Sequence, residues 1–220
     1  MQVTGLVGAP AQSYGNAAQP LIRQGQLGDL IVSELHGKWY EQVYRGNVFS
    51  YGMTSTALSA NTITLTATTT PIIGVWNPSA SNVNLVMMKA KCIITVAGNS
   101  AVAPGAFMWA TSTGNGAIST GNAPLNRKTL ANTGSQAKAF NISTALTGIT
   151  NNLVIQHAAA FGTLVAAQGA TASPIISDGG LEEFDGSLIV PPGGVLALLN
   201  TTSTTTVSVS SMLMWEEVPL

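Results

Sequence analysis

Few of the 220 side chains bring chemistry of their own. Asp178, Glu182, Glu183 and Asp185 place four carboxylates within eight positions, interrupted by Gly179-Gly180. Such a group could cage a hard cation such as calcium, but the spacing is not that of an EF-hand, and a run of this kind is more often a solvated loop. His36, His157 and the single Cys92 lie far apart, with no H-x-H, C-x-x-C or H-E-x-x-H spacing, so a transition-metal site has nothing to build on. Gly114-Asn-Gly116 lacks the further glycine and the helix of a phosphate loop and reads as a turn. No G-x-S-x-G elbow occurs, and a serine nucleophile would need one of the two histidines brought beside it by folding. The inventory argues against an enzyme, and no cofactor or metal is expected.

Recognition is better provided for. Within Glu34 to Gly52, the stretch from Trp39 to Phe49 holds four large aromatics, Trp39, Tyr40, Tyr44 and Phe49, interleaved with charges that include Arg45. Rings supply buried area and charges supply register, the combination a contact surface needs. The segment is therefore a candidate anchor onto a partner, with Trp39, Tyr40, Tyr44, Arg45 and Phe49 as its residues. The other reading is a short turn of helix or strand packed on its own domain, and both stay open.

The elements that must position these residues are strands. The longest is Val83 to Val96, opened by the turn chemistry of Asn77-Pro78 with Ser79, Ser81 and Asn82. Period-two counting sets Val83, Leu85 and Met87 on one face with Lys89 and Lys91, and Val86, Met88, Ala90, Cys92 and Ile94 on the other. Asn61 to Thr69 alternates strictly; Ile72 to Trp76 and Ala106 to Thr111 are shorter strands. Thr113 to Gly134, rich in Gly and Asn around Arg127-Lys128, is a loop long enough to be functional or covered by a neighbour. Further short strands are expected at 139–146, 153–157, 162–166 and 174–177, with a helical turn as the alternative over 158–168. Gly186 to Val190 and Val195 to Leu199 flank the bend Pro191-Pro-Gly-Gly194, and Val207 to Val218 closes the chain. Nine or ten strands with almost no amphipathic helix predict an all-β fold, a jelly-roll-like β-sandwich over residues 53–220. Residues 1–52 are expected to form an extended N-terminal arm followed by the aromatic anchoring segment, with a possible short strand at Asp29 to Val32.

Charged residues make up only 8 % of the chain, far below the roughly 25 % of an ordinary soluble domain. A surface of Thr, Ser, Asn, Gly and Ala implies cover by copies of the chain or by a partner, or more simply a Thr-rich β surface. The net charge of −1 conceals +5 over residues 1–138 and −6 over residues 139–220. No dense basic patch supports nucleic-acid binding, and no run approaches the roughly 18 apolar residues of a membrane span. The first twenty residues lack a basic start and an apolar core, so synthesis and folding in a cytoplasm are expected. One cysteine allows no intrachain disulfide.

Four segments together carry a resemblance: Gly37-Lys-Trp-Tyr40 with Arg45-Gly-Asn-Val-Phe49, Asn77-Pro-Ser with the strand from Asn84 to Lys89, Val190-Pro-Pro-Gly-Gly194, and Met214-Trp-Glu-Glu-Val218. The pattern resembles virion structural proteins of tailed bacteriophages, and within them the capsid decoration, or cement, proteins. The resemblance runs from about Glu34 to Val218 and rests on turn and strand signatures. It implies a jelly-roll domain that forms trimers on the capsid exterior and bridges capsomers, with the major capsid protein as partner. The alternative is a tail or fibre component that binds a host glycan through Phe107, Trp109 and the 113–134 loop.

Overall fold

The computed structural model describes residues 5–7, 22–24, 37–58, 71–96, 105–113, 117–118, 121–141, 146–147, 153–164, 173–175, 181–200 and 204–220. The chain divides into a smaller unit, residues 1–41, and a larger one, residues 42–220. In the smaller unit β1 (Gly5–Val7) and β2 (Ile22–Gln24) pair in parallel. The strands expected at Asp29 to Val32 and Asn61 to Thr69 lie outside the described residues. A six-residue helix, α1 (Tyr40–Arg45), follows in the chain. The strands after it are β3 (Val48–Leu58), β4 (Ile73–Trp76), β5 (Val83–Val96), β6 (Gly105–Thr113), β7 (Ala117–Ile118), β8 (Leu125–Asn126) and β9 (Lys138–Asn141). They continue as β10 (Leu146–Thr147), β11 (Leu153–Leu164), β12 (Ser173–Ile175), β13 (Leu181–Glu183), β14 (Ile189–Val190), β15 (Gly194–Asn200) and β16 (Thr204–Pro219).

β7 and β10 pair with each other, and the other strands after α1 form two antiparallel sheets, one in the order β13-β5-β16-β3-β8 with β14 also on β5, the other in the order β12-β11-β6-β15-β4-β9. Pairing is nested along the chain: β3 joins β16, β4 joins β15, β5 joins β13, and β6 joins β11. The all-β expectation holds. Two local expectations change. Residues 158–164 continue β11 as strand, not as a helical turn. The boundary expected at residue 52 falls inside β3, because Phe49 and Met53 already point into the core.

One apolar cluster draws on both sheets, with Phe49, Leu85, Met87, Leu213 and Trp215 from the first and Ile73, Val75, Phe107, Trp109, Leu196 and Leu198 from the second. A smaller cluster of Ala110, Phe140, Val195, Ala197 and Leu199, with Trp76 against it, buries alternate residues of the second sheet. All seven residues of β15 are buried, which explains its unbroken apolar run.

β5 departs from strict alternation. Opposite it, Met214 pairs with Lys89 and the next residue, Trp215, with Met87, so Met88 is the extra residue of a β-bulge. The bulge shifts the phase by one. Val83, Leu85 and Met87 before it and Ala90 and Cys92 after it all become buried, while Lys91 and Ile93 face out. The carbonyl of Met88 accepts bonds from the backbone N–H groups of Phe184 and Asp185, at 3.0 and 3.1 Å, in the turn between β13 and β14. That turn delivers the buried Phe184 ring edge-on to Trp109, at 6.1 Å between centroids.

Two buried polar side chains tie the loops to the sheets. Asn77, fully buried, donates from Nδ2 to the carbonyls of Val83 (2.8 Å) and Val190 (3.0 Å). Its backbone carbonyl accepts from Gly193, so the Asn77-Pro78 turn and the Pro-Pro-Gly-Gly bend form one joint. Glu217 is 6 % exposed and accepts bonds from the Ser135 hydroxyl and from the backbone N–H groups of Gln136 (3.0 Å) and Ala137 (3.4 Å). Removing this acceptor strands buried donors, each at about 1–3 kcal/mol when unsatisfied. Glu217→Ala is expected to lower stability by about 2 kcal/mol, and Glu217→Gln by less because it retains one acceptor. Urea denaturation of the two variants measures both, and an unchanged midpoint for Glu217→Ala would refute the clamp.

Candidate interaction surface

α1 carries Glu41 in its first turn and Arg45 in its last, each of the sign its end of the helix favours. A six-residue helix does not hold by itself in water. It stops at Gly46, whose φ of +83° is the left-handed turn that glycine adopts without a Cβ penalty. Gly46 N–H bonds the carbonyl of Val43 at 3.0 Å, and Asn47 N–H that of Gln42 at 3.2 Å. The carbonyl of Gly46 in turn accepts a 2.7 Å bond from Asn126 Nδ2, on β8 at the sheet edge.

Asn126 organises the loop after β8 as well. Its Oδ1 accepts from the backbone N–H groups of Lys128 (2.9 Å) and Thr129 (3.2 Å), and its carbonyl from that of Leu130 (2.9 Å). Leu130 has φ of +57°, an uncommon state for a branched side chain. The result is a rigid knuckle standing against the end of α1. Lys128 Nζ lies 4.9 Å over the Tyr44 ring, and Arg127 is exposed beside it. Tyr44 is 59 % exposed and Leu130 69 % exposed. An aromatic ring, an aliphatic side chain and two cations thus share a surface fixed by backbone hydrogen bonds. Arg45 also acts on Glu216, whose carboxyl is pushed up by burial and drawn partly back by that guanidinium.

The five residues predicted as an anchor differ in burial. Tyr44 and Arg45 belong to this surface. Phe49 is corrected: it is 3 % exposed and packed in the two-sheet core, because β3 begins at Val48 and odd positions there face inward. Trp39 and Tyr40 fall in the smaller unit, where Lys38 Nζ lies 4.6 Å over the Trp39 ring and Tyr40 is exposed. Lys128 and Leu130 were not among the predicted residues; the Arg127-Lys128 pair in an uncharged, glycine-rich stretch was the signal for them.

The other sequence candidates resolve individually. Phe107 and Trp109, the rings offered for glycan binding, are 2 % and 1 % exposed and cannot meet a ligand, since both lie on the inner face of β6. Glu182 and Glu183 sit consecutively on β13, while Asp178 lies outside the described residues. Glu183 pairs with Lys89 Nζ at 2.8 Å, which raises the lysine's pKa. Among the described residues no group of three or more His, Cys, Asp or Glu could hold a metal ion. Burial pushes the Cys92 thiol up to about 11, so it stays protonated at neutral pH. His36 lies outside the described residues, and His157 is on β11 opposite Met108.

A second feature lies where β8 leaves β3. A cleft of about 380 Å³ is lined by Ser50, Tyr51, Gly52, Asn122, Ala123, Leu125 and Asn132. Tyr51 Oη accepts bonds from the side-chain amides of Asn122 (2.9 Å) and Asn141 (3.2 Å). Burial raises the phenol's pKa and the Asn141 bond opposes this, so the hydroxyl keeps its proton.

Among the described residues no helix is long and apolar enough to cross a membrane. Comparison with known protein families, with curated proteins and with solved structures returned no match.

Proposed function

We propose that the chain is a structural protein of a tailed-phage particle, a decoration protein on the capsid exterior that bridges capsomers, with a jelly-roll domain and an N-terminal arm. The observation that carries the reading is the nested pairing. Take β3, β4, β5, β6, β11, β13, β15 and β16 as strands one to eight. The partners are then one with eight, two with seven, three with six and four with five. Rolling up one long antiparallel hairpin produces this arrangement, and it is the architecture that viral capsid domains use repeatedly. The charge content of 8 % and the fixed surface at Tyr44, Lys128 and Leu130 support a protein whose outside is meant to be covered. Its partners under this reading are further copies of itself, as a trimer, and the major capsid protein.

Tyr44 is the expected hot spot, with Arg127 and Lys128 setting register on an acidic patch of the partner. Tyr44→Ala is expected to weaken attachment at least about 30-fold, the effect of losing roughly 2 kcal/mol. Lys128→Glu should do the same by placing like charges together, and neither change should lower the melting temperature because both residues are exposed. Quantifying each variant bound to purified capsids, against the copy number of the major capsid protein, tests the proposal. Failure of the unaltered protein to associate with particles would refute the function. Undiminished attachment by both variants would refute the surface.

A further inference from the structure

The cleft beside β3 has features that neither the fold nor the virion reading requires. Gly52 is in the interior of a strand, opposite Met212, where glycine weakens pairing and offers nothing to pack. The ladder to β16 becomes irregular just beyond it, between Met53 and Thr56. The φ of Gly52 is not in the left-handed range, and a Cβ added there would meet only Ser211 O at 3.8 Å and Met212 Cβ at 3.9 Å, ordinary contact distances. A glycine in a strand marks a bulge, a bend or a place where a ligand or another backbone comes close, and this one both adjoins the irregularity and lines the cleft.

The lining defines the chemistry of that ligand. Among the described residues no charged side chain lines it, so a charged group would enter without a counter-charge from them. Asn122 and Asn132 present carboxamides, each with a donor and an acceptor in one plane, and Ser50 adds a hydroxyl. Tyr51 Oη already accepts two N–H bonds, leaving its own O–H as donor. Leu125, Ala123 and the bare backbone at Gly52 give an apolar strip between these groups. Paired donors and acceptors around a small apolar floor match adjacent hydroxyls on a pyranose ring, each of which both gives and takes a hydrogen bond.

We propose that this cleft binds a neutral saccharide unit, with Tyr51, Asn122 and Asn132 as its polar contacts and Gly52 as the floor against which the ring lies. A volume of about 380 Å³ holds one or two sugar rings. The lining shares no residue with the Tyr44 surface, and binding there does not depend on attachment to a capsid.

The test is retention of the full chain on immobilised neutral glycans ending in glucose, galactose, mannose or N-acetylglucosamine, beside sialylated and sulfated ones. Binding to at least one neutral glycan is expected. Gly52→Val, whose side chain has room in the strand but fills the floor, should weaken it at least about tenfold at an unchanged melting temperature. Asn132→Ala, an exposed loop position, should weaken it several-fold and serves if the valine variant is misfolded. Retention on no glycan, preference for the acidic ones, or equal retention of well-folded Gly52→Val and Asn132→Ala would each overturn the proposal.

Discussion

Trp109→Ala is expected to remove a large share of the stability of the larger unit. The indole is 1 % exposed at the centre of β6, opposite Leu198 of β15 and Gln156 of β11, with the Phe184 ring against it edge-on. Truncating a buried Trp costs about 3–5 kcal/mol once the residual cavity is counted. A domain has only about 5–15 kcal/mol to lose. Among the described residues the Trp109 Nε1–H has no hydrogen-bond partner, so Trp109→Phe removes an unsatisfied donor while keeping most of the apolar volume. It should be much milder, about 1–2 kcal/mol. Trp76 provides the contrast. It is half-buried at the smaller cluster, so Trp76→Ala should cost clearly less than Trp109→Ala. Denaturant melts of the three variants give the order directly. If Trp76→Ala proves as damaging as Trp109→Ala, the smaller cluster contributes as much stability as the two-sheet core.

The alternation of apolar residues made the all-β class and most strands legible, because a half-buried strand writes its period into the chain. Pairing was not legible. β3 and β16 meet across some 150 residues, and nothing local in either names the other. The phase of β5 was misread for a specific reason. Counting by twos assigned Lys89 and Lys91 to the face of Val83, Leu85 and Met87, whereas the bulge at Met88 turns them outward. The change of apolar parity, odd positions before the Met87-Met88 doublet and even positions after it, was the trace that the bulge left in the sequence. The candidate surface was half legible. Aromatic clustering pointed to Tyr44 and Arg45, but Phe49 had the same composition and a different fate, since burial depends on where the strand starts. That the 126–130 knuckle stands beside α1 follows from the pairing of β8 with β3 and from the hydrogen bond of Asn126 to Gly46, 80 residues apart, which no spacing rule could supply.

Gly74→Ala, the smallest possible addition, is expected to be about as damaging as losing a large core side chain. Gly74 lies in β4 between Ala197 of β15 and Phe140 of β9. A Cβ there would stand 2.2 Å from Phe140 Cζ, 2.5 Å from Cε2 and 2.7 Å from the carbonyl oxygen of Leu196. The ring occupies the volume that the methyl would take. Phe140 is fully buried among Ala110, Val195, Ala197 and Leu199, and a close-packed interior yields little to a displaced ring. Overpacking costs typically 1–3 kcal/mol, and contacts this short belong at the upper end, about 3 kcal/mol or more. The cause can be separated from a general intolerance of β4. Phe140→Leu alone opens a cavity and destabilises, but in the Gly74→Ala background it also removes the clash, so the double variant should be more stable than the two single costs added together. Neighbours in contact couple by about 0.5–3 kcal/mol in such cycles. Recovery should stop short of complete, because the Leu196 carbonyl is backbone and stays where it is. A fully additive pair would mean that the ring does not lie over Gly74, and that the glycine answers to the carbonyl alone.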